Sequence, residues 1–562
     1  MHADRLAGVG VSPGAGYGPA HRLVRDVPEP PRAARHGGNA RAELLRAEQA
    51  LERVAADLAA RGDQAGGEAR DVLAAQAMMA RDPDLAARVA ELIEQGVAAS
   101  RAVFDAFTGY RELLAAAGGY LAARAADLDD IRDRVVAALE GLALPGLPAD
   151  PAEPYVLVAR DLAPADTVLL DPATVVAFVT EEGGPTSHTA ILARALGVPA
   201  VVGCAGAGAI PPGTPLLVDG STGVVRLSPD EDEVARAVRA AEQSTALLAA
   251  VSGAGATADG HAVPLLANVG GPADIAAALA AGAEGVGLFR TEFLFLDRVD
   301  PPTWEEQQDA YREVFEAFSG SRVIVRVLDA GADKPLDFLP PPAPEPNPAL
   351  GERGVRLFRR FPEVLAAQLE ALARAAKGTS ARVQVMAPMV ATAEEAVWFG
   401  EACRAAGLPS AGVMIEIPAA ALRAADLAAV TGFFSIGTND LTQYTLAADR
   451  EAGALAGLQD PWHPAVLDLV ALTAAAAGGS GRDCGVCGEA AADPALACVF
   501  VGLGVTSLSM AASALPRVRA ALARHTVDDC RRAAAAARAA GTASAARAAA
   551  RAELPALADL SL

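Results

Sequence analysis

The sequence predicts a multidomain α/β protein, in which an α/β domain with an inserted helical-hairpin subdomain precedes a (β/α)8 barrel. Three observations support this fold class. The 562 residues are enough for about three to four domains. Strand-like runs near the N-terminus are separated by a long stretch with helical periodicity. In the C-terminal part, strand-like and helical runs alternate along about 300 residues, which is the length of one such barrel.

The N-terminal part divides into two domains. Residues 1–35 are rich in glycine and favour short strands and turns, and strand-like runs return between 150 and 229. We predict that these two segments form one α/β domain. Residues 36–149 repeat apolar positions at alternating three- and four-residue steps, which indicates paired amphipathic helices inserted into that domain. A linker helix followed by a flexible glycine-rich connection is predicted over 230–260.

A glycine-containing turn before a short helix carries the most distinctive histidine. The strand-like run Val175–Val179 is followed by Gly183–His188, and helix-forming residues come next. His188 is thus predicted in the first turn of a helix, where free backbone N–H groups and the helix dipole favour an anion. A neutral imidazole there is a nucleophile, and a phosphoryl group on its nitrogen would meet donors already in place. The alternative is a histidine that only caps its helix.

The C-terminal part contains eight strand candidates separated mostly by Ala- and Leu-rich helical stretches. They lie at 263–268, 285–289, 323–328, 383–387, 411–416, 433–436, 482–486 and 505–509. This count predicts a (β/α)8 barrel over 261–562, and such barrels keep their active sites at the carboxyl ends of the strands. The residues capable of chemistry lie at those ends, namely Arg290, Arg326, Asp329, Glu416, Asn439, Asp440 and Cys487.

Acids and cations occur together at the predicted strand ends. Glu416 and Asp440 end neighbouring strands and could hold Mg²⁺, which takes few protein oxygens and keeps water or substrate oxygens as its other ligands. Forked arginine donors could clamp phosphate and carboxylate groups, and the candidates are Arg290, Arg326, Arg353 and Arg450. The alternative is that these arginines and acids only pair with each other across the barrel mouth. Lys334 could join the clamp or be an ordinary surface lysine.

Two cysteines, Cys484 and Cys487, lie in and just after the seventh strand candidate. A structural zinc site would need a second ligand pair, which the sequence lacks, and a thioredoxin-like redox pair would need a different local fold. In an extended strand, residues three apart point to opposite faces. We therefore predict that Cys487 is a proton donor in the barrel mouth and that Cys484 packs in the core.

Charge and cysteine content exclude several classes of function. There are 47 Lys and Arg against 69 Asp and Glu, a net charge of −22, which argues against nucleic acid or an anionic membrane as a partner. Six cysteines in so long a chain are no disulfide framework and fit a reducing compartment. The sequence has no apolar stretch long enough to cross a bilayer and no signal peptide. We therefore expect a cytoplasmic protein without membrane insertion.

Several short segments, in their order and spacing, resemble one enzyme family. The segments are Ser12-Pro13-Gly14, Gly183–Ala190, Gly287–Phe295, Asn347–Arg353, Gly412–Pro418, Ser435–Thr442 and Cys487-Gly488-Glu489. Together they are similar to Enzyme I of the bacterial sugar phosphotransferase system, the phosphoenolpyruvate–protein phosphotransferases. The likeness extends over nearly the whole chain.

The resemblance implies a phosphohistidine α/β swivelling domain, a helical subdomain that binds the carrier protein HPr, and a phosphoenolpyruvate-binding barrel that forms a homodimer. His188 would carry the phosphoryl group from phosphoenolpyruvate to HPr with release of pyruvate, and Thr167 would support that histidine. The implied substrate-binding residues are Arg290, Arg326, Arg353, Asn439 and Arg450. The implied Mg²⁺ ligands are Glu416 and Asp440, and the implied proton donor is Cys487.

Two positions depart from the family pattern, and other functions stay open. Gln76 stands where that pattern leads us to expect histidine, and Cys484 is an additional thiol. A pyruvate,phosphate dikinase or phosphoenolpyruvate synthase would share the histidine and the barrel, but the residues ahead of His188 are too few and too helical for a nucleotide-binding domain. A magnesium-dependent lyase would leave the histidine unused. An inactive HPr-binding regulatory paralogue would not need the catalytic motifs.

Overall fold

The computed structural model describes two compact units, and the chain passes from the first to the second between Val234 and Ala235. None of the described helices is long and apolar enough to span a membrane. The residues described are 5–12, 14–23, 27–65, 73, 76–117, 125–142, 153–160, 162, 170–171, 173–184, 188–296, 298–331, 334, 336–340, 345–450 and 453–560.

The first unit contains a mixed sheet and a helical insertion. Its strands are β1 (Arg5–Ala7), β2 (Val9–Ser12), β3 (Ala15–Arg22), β4 (Tyr155–Ala159), β5 (Val175–Thr180), β6 (Ala200–Val202), β7 (Pro215–Asp219) and β8 (Val224–Leu227). Its helices are α1 (Ala40–Ala65), α2 (Pro83–Glu94), α3 (Ala99–Ala117), α4 (Ala125–Glu140) and α5 (His188–Leu196). The next helix, α6 (Glu231–Ala250), carries the chain into the second unit.

The sheet has the strand order β1-β8-β7-β3-β4-β5-β6-β2, with parallel pairs from β3 to β6 and antiparallel pairs outside them. Both faces of its centre are buried, since Val156 and Ala177 face one apolar cluster while Leu157 and Phe178 face another. This explains why β4 and β5 are continuous apolar runs rather than alternating ones. Ala193 of α5 joins the second of these clusters, so that helix packs on one face of the sheet.

The helical insertion has its own apolar core. A turn separates two of its helices, because α2 ends at Glu94, Gly96 has the left-handed φ of +91°, and α3 begins at Ala99. Gln76, which departs from the family pattern, is buried and donates a hydrogen bond from Nε2 to Asp127 at 2.8 Å.

The second unit contains the remaining strands and helices. Its strands are β9 (Leu265–Val269), β10 (Gly285–Phe289), β11 (Arg322–Arg326), β12 (Arg382–Ala387), β13 (Ala411–Ile415), β14 (Phe433–Gly437), β15 (Asp483–Cys487) and β16 (Ser507–Met510). Its helices are α7 (Ile275–Ala280), α8 (Trp304–Ala317), α9 (Val355–Arg360), α10 (Pro362–Ala376), α11 (Ala393–Ala405), α12 (Pro418–Leu422), α13 (Ala424–Ala428), α14 (Thr438–Leu446), α15 (Pro464–Gly479), α16 (Pro494–Gly502), α17 (Leu515–Ala523), α18 (Val527–Arg538), α19 (Ala543–Ala552) and α20 (Ala556–Asp559).

These eight strands form a closed parallel barrel in sequence order, with β16 pairing back to β9. The predicted barrel is therefore confirmed, and each strand lies within a few residues of its predicted position. Residues on the outer faces of the strands pack against the helices in one large apolar core. A smaller apolar cluster fills the inside and consists of Leu288, Ile324, Met386, Met414, Phe433 and Cys487. The barrel is thus a packed core whose open rim is available for chemistry.

The glycine-rich segment predicted as a flexible connection is tied to the second unit from Gly255 onward. The Gly255 N–H donates to Glu284 at 2.7 Å, and the Ala258 N–H donates to the backbone of His525 at 2.9 Å. Asp259 accepts from the Val527 N–H at 3.2 Å at the start of α18. Composition alone suggested mobility here because it does not show these long-range partners.

Candidate active site

The predicted barrel residues lie at the carboxyl ends of the strands. Arg326 and Cys487 are the last residues of β11 and β15, and Arg290 and Glu416 directly follow β10 and β13. Asp440 is in the first turn of α14, which begins where β14 ends. Because all the barrel strands are parallel, these positions share one rim.

Glu416 is a buried carboxylate held by an unusual backbone. Its Oε1 accepts the Met389 N–H at 2.7 Å, and Met389 has the left-handed φ of +59°, which is uncommon for a residue with a side chain. Burial, and then the neighbouring Asp440 and Asp329 carboxylates, raise the pKa of Glu416 to about 8. Burial is thus the main reason that the charged form of Glu416 is disfavoured, and the two neighbouring acids add to it.

Two of the predicted arginines are paired with acids. Arg326 contacts Glu292 at 2.8 Å and Asp329 at 3.3 Å, and Arg353 donates to both oxygens of Asp329 and of Asp440. Although burial alone would raise the pKa of Asp329, the charges of Arg326 and Arg353 hold it well below its usual range. The pairing expected as an alternative to substrate binding is thus present for these two arginines. Even so, within the described structure the buried Nε of Arg326 has no hydrogen-bond partner.

Arg290 differs from its neighbours. It keeps a solvent-exposed surface, and its guanidinium has no ion pair or hydrogen bond with any residue that the structure describes. Desolvation of the guanidinium by the surrounding protein, and then the charge of Arg326, lower the pKa of Arg290. Two nearby cations, one of them unpaired, form a site that favours an anion.

The other predicted rim residues surround Asp440. Arg450 lies 3.9 Å from Asp440 and is half-buried, so this ion pair is a loose one. Asn439 is also half-buried, and Gly488 packs beside it, where an added Cβ would lie 3.4 Å from the Asn439 side-chain oxygen. Gly488 has φ +105°, so glycine both fits this close approach and permits the backbone conformation. Lys334 lies near enough to Asp329 to help lower the pKa of that carboxyl.

The donor set at this rim fits a hard divalent cation. Glu416 and Asp440 offer carboxylate oxygens, which are the donors that hard divalent cations prefer, and the two acids are close enough for Asp440 to raise the pKa of Glu416. Among the described residues there is no group of three or more His, Cys, Asp or Glu side chains that could hold a metal. An ion with two protein ligands would have to complete its shell with water or substrate oxygens, as Mg²⁺ does.

The two neighbouring cysteines face different surroundings, as their spacing predicted. Cys484 is in the core between barrel and helices, and burial raises its pKa to about 12. Cys487 belongs to the apolar cluster inside the barrel, and burial raises its pKa as well. The Cys487 thiol is therefore protonated at neutral pH, which is the state a proton donor needs.

The predicted helix start at His188 is present in the backbone. Gly183, with φ +95°, lies between β5 and α5, and His188 is the first residue of α5. The imidazole itself and Thr167 lie outside the described part of the structure.

Several residues that organise this rim were not predicted from the sequence. Glu292 accepts from both Arg326 and the Asp329 N–H, and the buried Gln368 connects Thr291 with the Leu328 backbone. The available signal for Glu292 was that it is an acid two residues after Arg290, at the predicted end of a strand. No comparable signal marked Gln368.

Comparison with known proteins assigns the chain to a family. Three sequence models match it in succession, described as PEP-utilising enzyme, N-terminal (7–124), mobile domain (151–223) and PEP-binding domain (247–527). A phosphoenolpyruvate-protein phosphotransferase of Streptomyces coelicolor is 62% identical over 536 residues, which cover 95% of this chain and 96% of that protein. The chain belongs to the phosphoenolpyruvate-protein phosphotransferase family. The resemblance to Enzyme I drawn from its motifs is confirmed.

More distant phosphotransferases align over a similar length. The protein of the same name from Haloferax volcanii is 41% identical over 94% of this chain and 96% of its own. That of Bacillus subtilis is 36% identical over 93% and 94%, respectively. In this phosphotransferase, the mobile-domain match contains His188. The PEP-binding match contains every barrel residue discussed above.

Proposed function

We propose that this phosphotransferase moves the phosphoryl group of phosphoenolpyruvate to His188 and then to a histidine of the carrier protein HPr, releasing pyruvate. This would be the first step of phosphotransferase-system sugar uptake. One juxtaposition carries the proposal: a protonated thiol, Cys487, shares the barrel rim with Arg290, a cation without an acidic partner among the described residues. Turnover of an enol phosphate needs both, because the phosphate must be held while the methylene carbon receives a proton.

The anionic substrate would be held mainly by Arg290 and Arg326. Arg290 is unpaired within the described structure, and Arg326 keeps one buried N–H without a partner there. Arg450, which is only loosely paired with Asp440, and Asn439 would complete the clamp. Arg353 is buried between two carboxylates, so its contribution would come mainly through the placement of Asp440.

Glu416 and Asp440 would hold Mg²⁺. When bound, the ion would offset negative charge on the substrate's oxygens. The Met389 N–H orients one oxygen of Glu416, and Arg353 orients Asp440, so both carboxylates are fixed before a cation arrives.

The two chemical steps balance with groups in this chain. The bond between phosphorus and the enol oxygen breaks as a His188 ring nitrogen bonds to phosphorus, which leaves the enolate of pyruvate. The S–H bond of Cys487 then breaks as the methylene carbon takes the proton, and the thiolate regains a proton from water. The positive end of the helix dipole at the start of α5 would stabilise the phosphorylated imidazole, and Thr167 would support it.

The partner and assembly follow from the family and from the surface of the insertion. HPr would dock on the helical insertion, where Met78 is 73% exposed and could adapt to a partner. We also propose that the barrel forms a homodimer and that the protein acts in the cytoplasm.

The test is a mixture of radiolabelled phosphoenolpyruvate, Mg²⁺, HPr and this protein, without ATP. We expect labelled HPr and one pyruvate per phosphoryl group transferred. His188→Ala should carry no label and pass none on, whereas His261→Ala, at an exposed position of the second unit, should behave like the unsubstituted protein. Label retained on the His188→Ala chain would overturn the proposal, and a requirement for ATP would favour a dikinase.

A further inference from the structure

Ser435 is a hydroxyl in an otherwise apolar part of the barrel. It lies in the middle of β14, is 3% exposed, and pairs in register with Met414 and Gly485 of the flanking strands. Phe433, two residues earlier on the same strand, belongs to the apolar cluster inside the barrel, together with Cys487. The one side-chain hydrogen bond that Ser435 makes within the described structure is to the sulfur of Cys487, at 3.3 Å.

Three hydrogen bonds from the end of β14 and the start of α14 hold Cys487. The Ser435 hydroxyl donates to Sγ, and Sγ donates in turn to the Ile436 carbonyl at 3.5 Å. The Thr438 hydroxyl donates to the Cys487 backbone carbonyl at 3.3 Å. Adjacent backbones are fixed as well, since Gly437 and Cys487 pair in register between β14 and β15.

We propose that Ser435 is a positioning residue for proton delivery, holding the Cys487 sulfur in place and donating to it as the thiolate forms. This inference deepens the proposed function and rests on Cys487 being the proton donor. Ser435 contacts the proposed proton donor, Cys487, and not the substrate.

The two contacts on the sulfur respond differently when its proton leaves. The Ile436 carbonyl accepts a hydrogen bond from the S–H group, but it has no hydrogen to donate to a thiolate. The Ser435 hydroxyl can donate in both states, and its bond strengthens once the sulfur is negative, because hydrogen bonds to ionised acceptors are the stronger ones. An interaction that strengthens as the proton leaves stabilises the transition state for protonation of the enolate. It therefore lowers the activation free energy of that step instead of only tightening the binding of the substrate.

The groups around this sulfur shift the pKa of the Cys487 thiol in both directions. Burial and then the Glu416 carboxylate raise the pKa of the Cys487 thiol, whereas Ser435, Arg326 and Arg290 lower it. Ser435 is the neutral member of the second set, and it is the one in direct hydrogen-bond contact with sulfur.

Stability alone does not explain a serine here. A buried hydroxyl loses its bonds to water, and a thiol sulfur is a weak acceptor in exchange. An alanine would fit the same apolar surroundings without that cost. A role in which the sulfur becomes charged during turnover accounts for the hydroxyl.

The test compares Ser435→Ala with Ser507→Ala in the full-length protein. Ser507 is matched because it is also 3% exposed and lies on the neighbouring strand pair, opposite Gly485, without a hydrogen bond to Cys487 among the described contacts. Each protein receives one equivalent of radiolabelled phosphoenolpyruvate with Mg²⁺ in a rapid-quench experiment. Label on the chain reports phosphoryl transfer, and pyruvate reports protonation.

For Ser435→Ala we expect pyruvate to form about tenfold more slowly while labelling of the chain and the KM for phosphoenolpyruvate change less than twofold. The solvent deuterium isotope effect on pyruvate formation should also rise, because proton transfer becomes slower. Ser507→Ala should match the unsubstituted protein in all three measurements.

The outcomes separate this inference from the proposed function. If Ser435→Ala forms pyruvate at the unsubstituted rate with an unchanged isotope effect, Ser435 has no positioning role. If Cys487→Ala forms pyruvate at the unsubstituted rate, the assignment of the proton donor fails instead. A Ser435→Ala protein that slows labelling and pyruvate formation equally would show a general disturbance of the rim and would also overturn the inference.

Discussion

Arg353 holds Asp329 with two parallel hydrogen bonds, from Nε to Oδ1 at 2.9 Å and from Nη2 to Oδ2 at 2.8 Å, and both side chains are 1% exposed. The same guanidinium reaches both oxygens of Asp440 at 3.2 and 3.3 Å. The arginine therefore connects a carboxylate after β11 with one after β14. The rim of the barrel is braced across its opening by buried charge.

Removing this brace should cost much stability. In Arg353→Met the Asp329 carboxylate stays buried but loses the arginine that donates to both of its oxygens, so we expect a loss of about 3–5 kcal/mol in the free energy of unfolding. Urea unfolding followed by tryptophan fluorescence measures it, because all three tryptophans, Trp304, Trp398 and Trp462, lie in the second unit.

The matched control for that change is Arg360→Met. Arg360 pairs with Glu352 at 2.9 Å but is 47% exposed, so its loss should cost no more than about 1 kcal/mol. Equal effects of the two substitutions would contradict the bracing role of Arg353.

Arg290 should affect substrate binding rather than folding. Because it has no acidic partner in the described structure, Arg290→Met should leave the urea midpoint nearly unchanged. The loss of one charge-assisted contact to phosphate should reduce kcat/KM for phosphoenolpyruvate by about 10- to 100-fold. Steady-state pyruvate release measures this. Arg298→Met, which removes a partly exposed pair with Glu306, is the control and should keep its kcat/KM.

Glu416→Ala should abolish Mg²⁺-dependent phosphorylation of the chain. The substitution removes one of two candidate ligands and leaves Asp440 held by Arg353. Binding of HPr, measured by calorimetry, should be nearly unchanged, since the proposed docking surface is in the other unit. Phosphorylation kinetics and Mg²⁺ dependence equal to those of the unsubstituted protein would reject Glu416 as a ligand.

The raised pKa of Glu416 also predicts a pH dependence in metal-free protein. The folded state keeps the Glu416 proton up to a pKa of about 8, whereas the unfolded chain releases it near the ordinary glutamate pKa of 4.5. Between these values the folded state binds more protons, so this group's contribution to stability falls as pH rises. Glu416→Gln cannot titrate, so the difference in urea midpoint between the variant and the unsubstituted protein should grow from pH 5 to pH 8. A pH-independent difference would contradict the raised pKa.

Substitutions of the two neighbouring cysteines should have different effects on the rate of pyruvate formation. Cys487→Ala should slow pyruvate formation strongly, because the protonated thiol inside the barrel is lost. Cys484→Ala should keep the rate and lose about 1 kcal/mol of stability, because its sulfur packs between barrel and helices. Paired rate and urea measurements on both variants test this, and the reverse order of rates would mean that the wrong thiol has been chosen.

Local pattern predicted those features of the site that depend on strand periodicity. Two cysteines three apart on a strand had to face opposite sides, and they do. Residues following parallel strands had to share one rim, which brought Glu416 and Asp440 together although 24 positions separate them in the chain. Local pattern did not indicate the long-range hydrogen bonds that the segment before the barrel makes to His525 and Val527.

Apolar periodicity and glycine placement are local properties of the chain, and they were enough to predict the barrel and the types of residue around its mouth. The folded chain was needed to show which arginines are already neutralised, which one remains available, and which hydroxyl contacts the thiol. Those relations depend on distances between side chains from different strands. Such distances are set when the barrel closes, and no spacing along the sequence contains them.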